Sequence, residues 1–396
     1  MQPGVDGLES SFDVLIVGGG NAGLSVAARL LRRGVQNVAV IEPMSVHTYR
    51  PLLSYVGGGQ ASQSSAERTQ ESVTPRGCTW LQDAVVNVHA GTRTVQCMSG
   101  RVYRYGALVL ATGLVPDQDE LPDIAEAIAL PGVASNYLSH AEKTWELVRA
   151  IPDDGRAVFT VPRPPVSCTG TTLKPLFLAA AHWRLEGRSP QITLAVDRPH
   201  LLGVPEIDGR LHRLLDDLGV RVLLDTAVEV VKPDGVVLRG AISTKFAYDL
   251  LHLVPPFRGP RWLSTCGLTA ADAHGLVDVN PRTLQHREHP DVWALGDVAT
   301  VDTDPSGGAI RKQSEVVVDN LLAARDGRRL TVYDGYTVAP IATDAHRLMF
   351  GEYDRSGVRS SLPLGIDALE PRWAAWAFDR YGLPQMYWNL ILKGRL

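Results

Sequence analysis

Cysteine is scarce in this sequence, and its spacing excludes two common sites. The 396 residues hold four cysteines, Cys78, Cys97, Cys168 and Cys266, all far apart. Without a C-x-x-C, neither a zinc site nor a thioredoxin-like dithiol is indicated. So low a count fits a reducing compartment. An excess of basic charge is missing too: 39 Lys and Arg against 43 Asp and Glu leave a formal net charge of −4, without the basic stripe that nucleic acid requires. No run of eighteen apolar residues occurs, so no helix is expected to span a bilayer. The first eleven residues are polar and acidic. They lack a basic stretch followed by an apolar one, so neither a signal peptide nor a transit peptide is expected. No tandem repeat or low-complexity segment is found.

What is present is ordinary globular material. Apolar residues make up 45% and charged residues 21%, which excludes a disordered chain. The length fits two to three domains with buried cores. Residues 12–17 (FDVLIV) form a short apolar run, read as a buried parallel strand. Glycines follow, then helical apolar spacing over 22–33, then a strand over 37–41 ending on Glu42. This is a strand–helix–strand unit. A polar, glycine-rich loop covers 43–75. Short strands are expected at 85–88, 94–97 and 101–105, and a buried strand at 107–111. A boundary region with one helix near 140–150 separates this part from a second such unit: strand 157–161, helix 173–185, strand 191–196 and a third strand near 220–224. A strand over 291–295 and a helix over 312–324 come later. After Tyr333, aromatics and prolines cluster to the end.

Gly18-Gly19-Gly20-Asn21-Ala22-Gly23 fits G-x-G-x-x-G. Gly18 permits the tight turn, Gly20 lets the backbone approach a pyrophosphate, and Gly23 lets helix pack on strand. The helix N-terminus, at Asn21 and Ala22, offers free N–H groups to phosphates, and Glu42 stands where an acid binds a ribose. The glycine motif alone is weak; its place between strand and helix, with the acid following, favours a nucleotide over a simple turn. The unit by itself suits NAD as well as FAD.

Residues 108–113 (LVLATG) resemble a signature of two-dinucleotide-domain flavoproteins, and 293–297 (WALGD) resemble their late Gly-Asp motif. That resemblance implies FAD, with Ala111, Thr112, Gly113, Gly296 and Asp297 at the cofactor and Asp297 on the ribityl chain. A helix N-cap is the other reading of Asp297. In type II NADH dehydrogenases and disulfide reductases the second unit carries its own glycine loop. Here that loop reads VPRPPVSCTG over 161–170. Proline has no N–H to offer a phosphate, so NAD(P)H binding by this unit is not expected. Cys168 stands in this loop before a helix. Beside Lys174 it could be a thiolate of lowered pKa or a small buried apolar side chain; spacing alone leaves both open.

The stretch PxPVxCxGxxxK, from Pro162 through Lys174, resembles the signature of the sulfide:quinone oxidoreductases. Segments 41–50, 135–145, 277–287, 333–337 and 387–394 resemble the mitochondrial-type branch, so the likeness runs nearly end to end. It implies non-covalent FAD, with His47, Tyr49 and Pro51 near the flavin and Pro43, Val85 and Lys312 as further cofactor contacts. It implies Cys168 as the thiolate exchanging electrons with the flavin and Lys174 as its catalytic partner. The family's second cysteine is replaced, at Ala339. Pro305-Ser306 also stands where many members carry a lysine.

The C-terminal residues 371–396 mix Trp373, Trp376, Phe378, Tyr381, Tyr387 and Trp388 with Arg372, Arg380, Lys393 and Arg395, broken at Gly382-Leu383-Pro384 into two short helices. Aromatics with basic flanks suit a bilayer headgroup layer. In the resembled family this region docks on the membrane and opens a quinone channel; Tyr336, Phe350, Tyr387 and Trp388 are the candidate lining. A helix pair packed on the flavin domain is the alternative.

The expected fold is α/β: two Rossmann-like domains plus a C-terminal membrane-docking segment, divided as 1–115 with 277–340, 116–276, and 341–396. The expected function is FAD-dependent electron transfer from sulfide or a related sulfur donor, through Cys168, to quinone. The expected location is the inner face of a bacterial cell membrane, with the oligomeric state, homodimer included, left open. Two alternatives stand beside it: a repurposed flavoprotein with another reductant or a structural or sensing FAD, and an NADH:quinone oxidoreductase.

Overall fold

The computed structural model describes residues 8–138, 140–359 and 367–396. Residues 1–7 of the polar N-terminal stretch, Ser139 in the 135–145 segment and residues 360–366 of the C-terminal segment lie outside them.

Leu8–Val17 is the centre of a sheet of seven strands among the described residues. Val38–Ile41 and Val102–Leu110 flank it in parallel, and Val14 pairs with both Val38 and Ala107. Cys78–Leu81 extends one edge. Val292–Ala294 lies parallel to the far half of Val102–Leu110, while Val85–His89 and Thr94–Cys97 meander antiparallel along its near half. The strands expected at 101–105 and 107–111 are therefore one strand, because the central strand pairs with it throughout. Side chains alternate. Val14 and Ile16 face the helices Asn21–Arg32 and Gly307–Arg325, while Leu15 and Val17 face a core with Val88, Val95 and Val277. Both faces are buried, which is why these strands are apolar throughout. Each buried Val, Leu or Ile contributes about 1.5–3 kcal/mol.

The second unit is a five-stranded parallel sheet in the order Val133–Ala134, Leu250–His252, Arg156–Val161, Gln191–Val196, Arg221–Leu223. Its helix Lys174–Leu185 packs against it, with Leu176, Phe177 and Trp183 in one core.

Several elements have no counterpart in the sequence reading, among them the strands Cys78–Leu81 and Leu250–His252 and the helix Pro205–Asp217, and one of them bears on the site. Thr337–Asp344 and Arg347–Asp354 form an antiparallel hairpin, with Ala339 opposite Gly351 and Pro340 opposite Phe350. Its odd-numbered residues Ala339, Ile341, Met349 and Tyr353 enter the core of the second unit. Ala342 and Leu348, on the other face, join the core of the first. The hairpin thus lies between the two units, and its first strand crosses the boundary expected at 340/341. The late helix begins at Gly307 rather than 312, because the Ser306 hydroxyl accepts the Ala309 N–H at 3.0 Å and caps it there.

The C-terminal segment contains the helices Trp373–Ala377 and Leu383–Asn389, joined by a π-helical turn at Phe378–Gly382. Among the described residues no helix is long and apolar enough to cross a membrane. The segment is pinned by a buried ion pair. Lys174 Nζ lies 2.6 Å from Asp379 Oδ2, with side chains 0% and 3% exposed. Tyr55 Oη donates to the same carboxylate oxygen at 2.6 Å. Removing one partner of such a pair leaves an unpaired buried charge, whereas replacing both by apolar groups is tolerated. Asp379→Ala should therefore cost about 3–5 kcal/mol in denaturant unfolding, while Lys174→Met with Asp379→Leu should recover most of that loss. Equal stability of the single and double variants would refute this account.

Candidate active site

The loop after the central strand has the geometry of a phosphate cradle. Gly18 has φ +106°, and a Cβ there would lie 2.3 Å from Ala111 O. A Cβ on Gly23 would lie 1.9 Å from Gly18 O, so the helix can approach the strand only with glycine here. Gly20 has open space where a side chain would stand. The helix Asn21–Arg32 has no side-chain cap and no acid in its first turn. Its unused N–H groups and positive dipole end therefore suit an anion. Glu42 folds over the loop, accepting the N–H of Gly19 at 2.8 Å and of Met44 at 2.9 Å. These features fit a dinucleotide.

The cradle opens into a cavity of about 1140 Å³. Gly18, Gly20, Asn21, Ala22, Glu42, His47, Pro51, Ala111, Thr112, Gly113, Gly296 and Asp297 all line it. Asp297 caps no helix, since Ser306 starts the one that follows. Burial raises the Asp297 pKa, against a hydrogen bond from Ser167 and the charge of Arg50. His47 is 4% exposed. Its Nδ1 lies 3.1 Å from Gly19 O, and its Nε2 lies 2.6 Å from Tyr387 Oη. A carbonyl only accepts, so Nδ1 carries the proton and Nε2 accepts from the tyrosine. Burial lowers the His47 pKa, which keeps the ring neutral.

Cys168 lines the same cavity. Its φ is +59°, a conformation that non-glycine residues adopt only when held. Thr171 Oγ1 donates to its Sγ at 3.1 Å, and the thiol lies 4.0 Å from Val338 O. Of the two readings that spacing left open, the lowered pKa is not found. Burial, then the Asp304 carboxylate, pushes the thiol up to about 11. Thr171 and Lys174 pull the other way but are outweighed. Lys174, expected as the catalytic partner, is fully buried and spends its ammonium on Asp379. Cys78 and Cys266 are thiols as well. Cys266 sits against Asn87 and the Val88 N–H, in another part of the first unit.

The alternation of the hairpin decides where Ala339 points. Tyr336, Val338, Pro340, Phe350 and Glu352 line the cavity, while Ala339 is 1% exposed and packed in the core of the second unit. A Cβ on Gly170 would come within 2.7 Å of the Ala339 methyl.

The remaining expected contacts scatter. Lys312 is exposed and does not line the cavity; its neighbours Arg311, on the wall, and Gln313, whose Oε1 accepts the Gly296 N–H at 2.8 Å, face inward instead. Pro43 and Val85 lie outside the lining, Val85 because its strand buries it in the core behind the sheet. Trp388 also lies outside, edge-on to Tyr49 and His47 and under Arg68. Tyr336, Phe350 and Tyr387 do line the cavity. Sequence reasoning missed Arg50, Tyr137, Asp304, Arg311 and Glu352. Tyr336 Oη donates to Glu352 Oε1 at 2.6 Å, and nothing in the local sequence pairs them.

The proline loop of the second unit is tied down by charge. Arg163, in the proline loop, donates Nε to Glu120 at 2.7 Å, Nη2 to Asp117 at 2.9 Å, and Nη1 to the carbonyls of Pro164 and Phe257, both at 2.9 Å. Its guanidinium is committed within the protein and leaves nothing for a phosphate.

Residues 12–323 match the family model described as pyridine nucleotide-disulphide oxidoreductase. The chain is 30% identical over 397 aligned positions to the mitochondrial sulfide:quinone oxidoreductase of Mus musculus, covering 98% of this chain and 87% of that protein. A chain in the structure of the Tetrahymena thermophila mitochondrial ATP synthase superposes with TM-score 0.85 at 20% identity, covering 100% and 99% of the two chains. The sulfide:quinone oxidoreductase of Aquifex aeolicus superposes with TM-score 0.81 at 17% identity, covering 98% and 92%. These two structures share the fold. Together the family model and the mouse relative place a flavin-type dinucleotide cofactor in this chain.

Gly23→Ala should abolish flavin occupancy of the purified protein, read from its visible spectrum; normal loading would refute the cradle. In cofactor-free protein, alkylation of Cys168 should be slow at neutral pH and rise toward about pH 11 as the thiol ionises. Fast labelling at pH 7, followed by mass spectrometry, would show the thiolate is already formed.

Proposed function

The chain belongs to the sulfide:quinone oxidoreductase family, within the pyridine nucleotide-disulphide oxidoreductases, and we propose that it is a non-covalent FAD enzyme carrying electrons from a sulfur donor, through Cys168, to a quinone. One observation carries this reading: a single cavity joins the glycine cradle, the Cys168 thiol and an apolar wall of Phe350, Phe378, Leu383, Met386 and Tyr387. Bound FAD supplies the two-electron relay between sulfur and quinone. The residues 18–23 bind its diphosphate, Glu42 its ribose and Asp297 its ribityl hydroxyls. Cys168 receives the sulfur donor, and the apolar wall receives the quinone ring.

Oxidising sulfide requires one sulfur to be held while electrons leave. Cys168 is the one cysteine among the described residues that lines the cavity. The second sulfur therefore comes from outside the chain, as a persulfide or a small thiol. A hydride donor such as NADH is disfavoured by the proline loop, which offers few N–H groups to a phosphate, and by Arg163, whose guanidinium is engaged by Glu120 and Asp117. A second reading is a structural or sensing flavoprotein; it is favoured by Ala339, whose methyl is sealed in the core, and by the high pKa of the lone thiol.

The exposed side of the C-terminal segment supports docking on a membrane surface. Trp373, Phe378 and Tyr381 are 63%, 43% and 57% exposed, and Phe378 also lines the cavity. The apolar mouth thus opens where these rings stand. Trp376, by contrast, is buried against His346.

Anaerobic addition of sulfide should bleach the oxidised flavin, and Cys168→Ser should slow this at least about a hundredfold. A flavin inert to sulfide and to organic persulfides would favour the sensing reading instead. Replacing Trp373, Phe378 and Tyr381 together by alanine should lower binding to anionic vesicles at least about tenfold; unchanged sedimentation would remove the membrane from the proposal.

A further inference from the structure

The structure holds Cys168 from both sides. On its N-terminal side, Tyr137 Oη donates to the carbonyls of Ser167 and Cys168, at 3.3 and 3.4 Å. On its C-terminal side stands Asp304. Its Oδ2 accepts the Thr169 N–H at 2.9 Å, and its Oδ1 accepts the Thr169 hydroxyl at 2.6 Å. Arg198, 6% exposed, donates Nη1 to that hydroxyl oxygen at 3.0 Å and Nε to Pro162 O at 3.0 Å. Its Nη2 has no hydrogen-bond partner among the described residues, and the charge facing it most strongly is Asp304.

The Asp304 loop is itself anchored. Thr337 Oγ1 donates to Asp304 O at 2.7 Å and lies 2.9 Å from Ser306 Oγ. The next residue, Val338, carries the carbonyl beside the thiol. Asp304 also follows Asp297 on the loop that enters the late helix. One carboxylate therefore fastens the cysteine loop of the second unit to the cofactor loop of the first.

We propose that Asp304, backed by Arg198, is a positioning residue for Cys168, gripping Thr169 so that the thiol is kept in its left-handed backbone conformation and in register with the Asp297 loop. The two hydrogen bonds offset the conformational cost of the positive φ at Cys168. They also place the Asp304 carboxylate near the sulfur, where it adds to burial in raising the pKa of the thiol. The groups facing the thiol are Asp304, Thr171 and Lys174, together with the phenols of Tyr137 and Tyr353. Asp304 is the one carboxylate among them. The proposal builds on the reading of Cys168 as the electron-transferring thiol, but its test does not depend on turnover.

Asp304→Asn separates grip from charge. Its amide oxygen can accept the Thr169 N–H, and its NH2 can donate to the hydroxyl. In FAD-loaded protein, iodoacetamide labelling of Cys168 should then follow a profile displaced to lower pH, at least about threefold faster at pH 8. Asp304→Ala removes the grip as well. It should show the same displacement and, where sulfide bleaches the wild-type flavin, a bleaching rate about tenfold below that of Asp304→Asn. If Asp304→Asn labels on the wild-type profile, the carboxylate does not act on the thiol, and if Asp304→Ala bleaches as fast as Asp304→Asn, the grip on Thr169 does not position it; either result overturns the proposal. A wild-type flavin inert to sulfide would overturn the proposed function while leaving the labelling result to decide this one.

Discussion

A strand has two faces, and the strand Thr337–Asp344 uses both. Ala339 and Ile341 build the core of the second unit, Val338 and Pro340 build the cavity wall, and Ala342 joins the core of the first unit. The period of two is fixed by the pleat, so neither face can be changed by sliding the strand one residue without turning apolar side chains into the cavity and Val338 into the core. The position of the thiol against Val338, the lining of the cavity and the contact between the two units all follow from this register. It also gives the replacement at Ala339 its physical meaning: the methyl fills a tight space beside Gly170, behind the wall rather than on it.

What the sequence made legible is what depends on neighbours in the chain. The glycine loop, the apolar strands and the Gly-Asp turn each need a backbone conformation that a few adjacent residues dictate, and the structure has them where the spacing put them. The misses share a different cause. Thr169 meets Asp304 across 135 residues, Lys174 meets Asp379 across 205, and His47 meets Tyr387 across 340. No local pattern announces such partners. Lys174 shows the consequence: a lysine six positions after a cysteine reads as its activator, yet a distant carboxylate takes its charge. The hairpin was missed because Thr337–Asp344 begins in a segment read for its cysteine position rather than for its alternation.

The two units treat their crevices in opposite ways. In the first, glycines and an uncapped helix leave N–H groups unspent for a ligand. In the second, prolines remove the donors and Arg163 satisfies itself on Asp117, Glu120 and two carbonyls. The same architecture thus yields one loop with donors to spare and one loop satisfied within the protein, and the difference rests on a handful of residues while the parallel sheet is kept.

The histidine joining Gly19 to Tyr387 has a thermodynamic reach beyond its two bonds. One ring nitrogen reads the phosphate loop and the other reads the C-terminal helix, so the order of one is coupled to the order of the other. Such coupling is reciprocal by necessity: a ligand that quiets Gly19 lowers the entropy lost when the C-terminal helix settles, and any contact that orders that helix tightens the glycine loop by the same free energy.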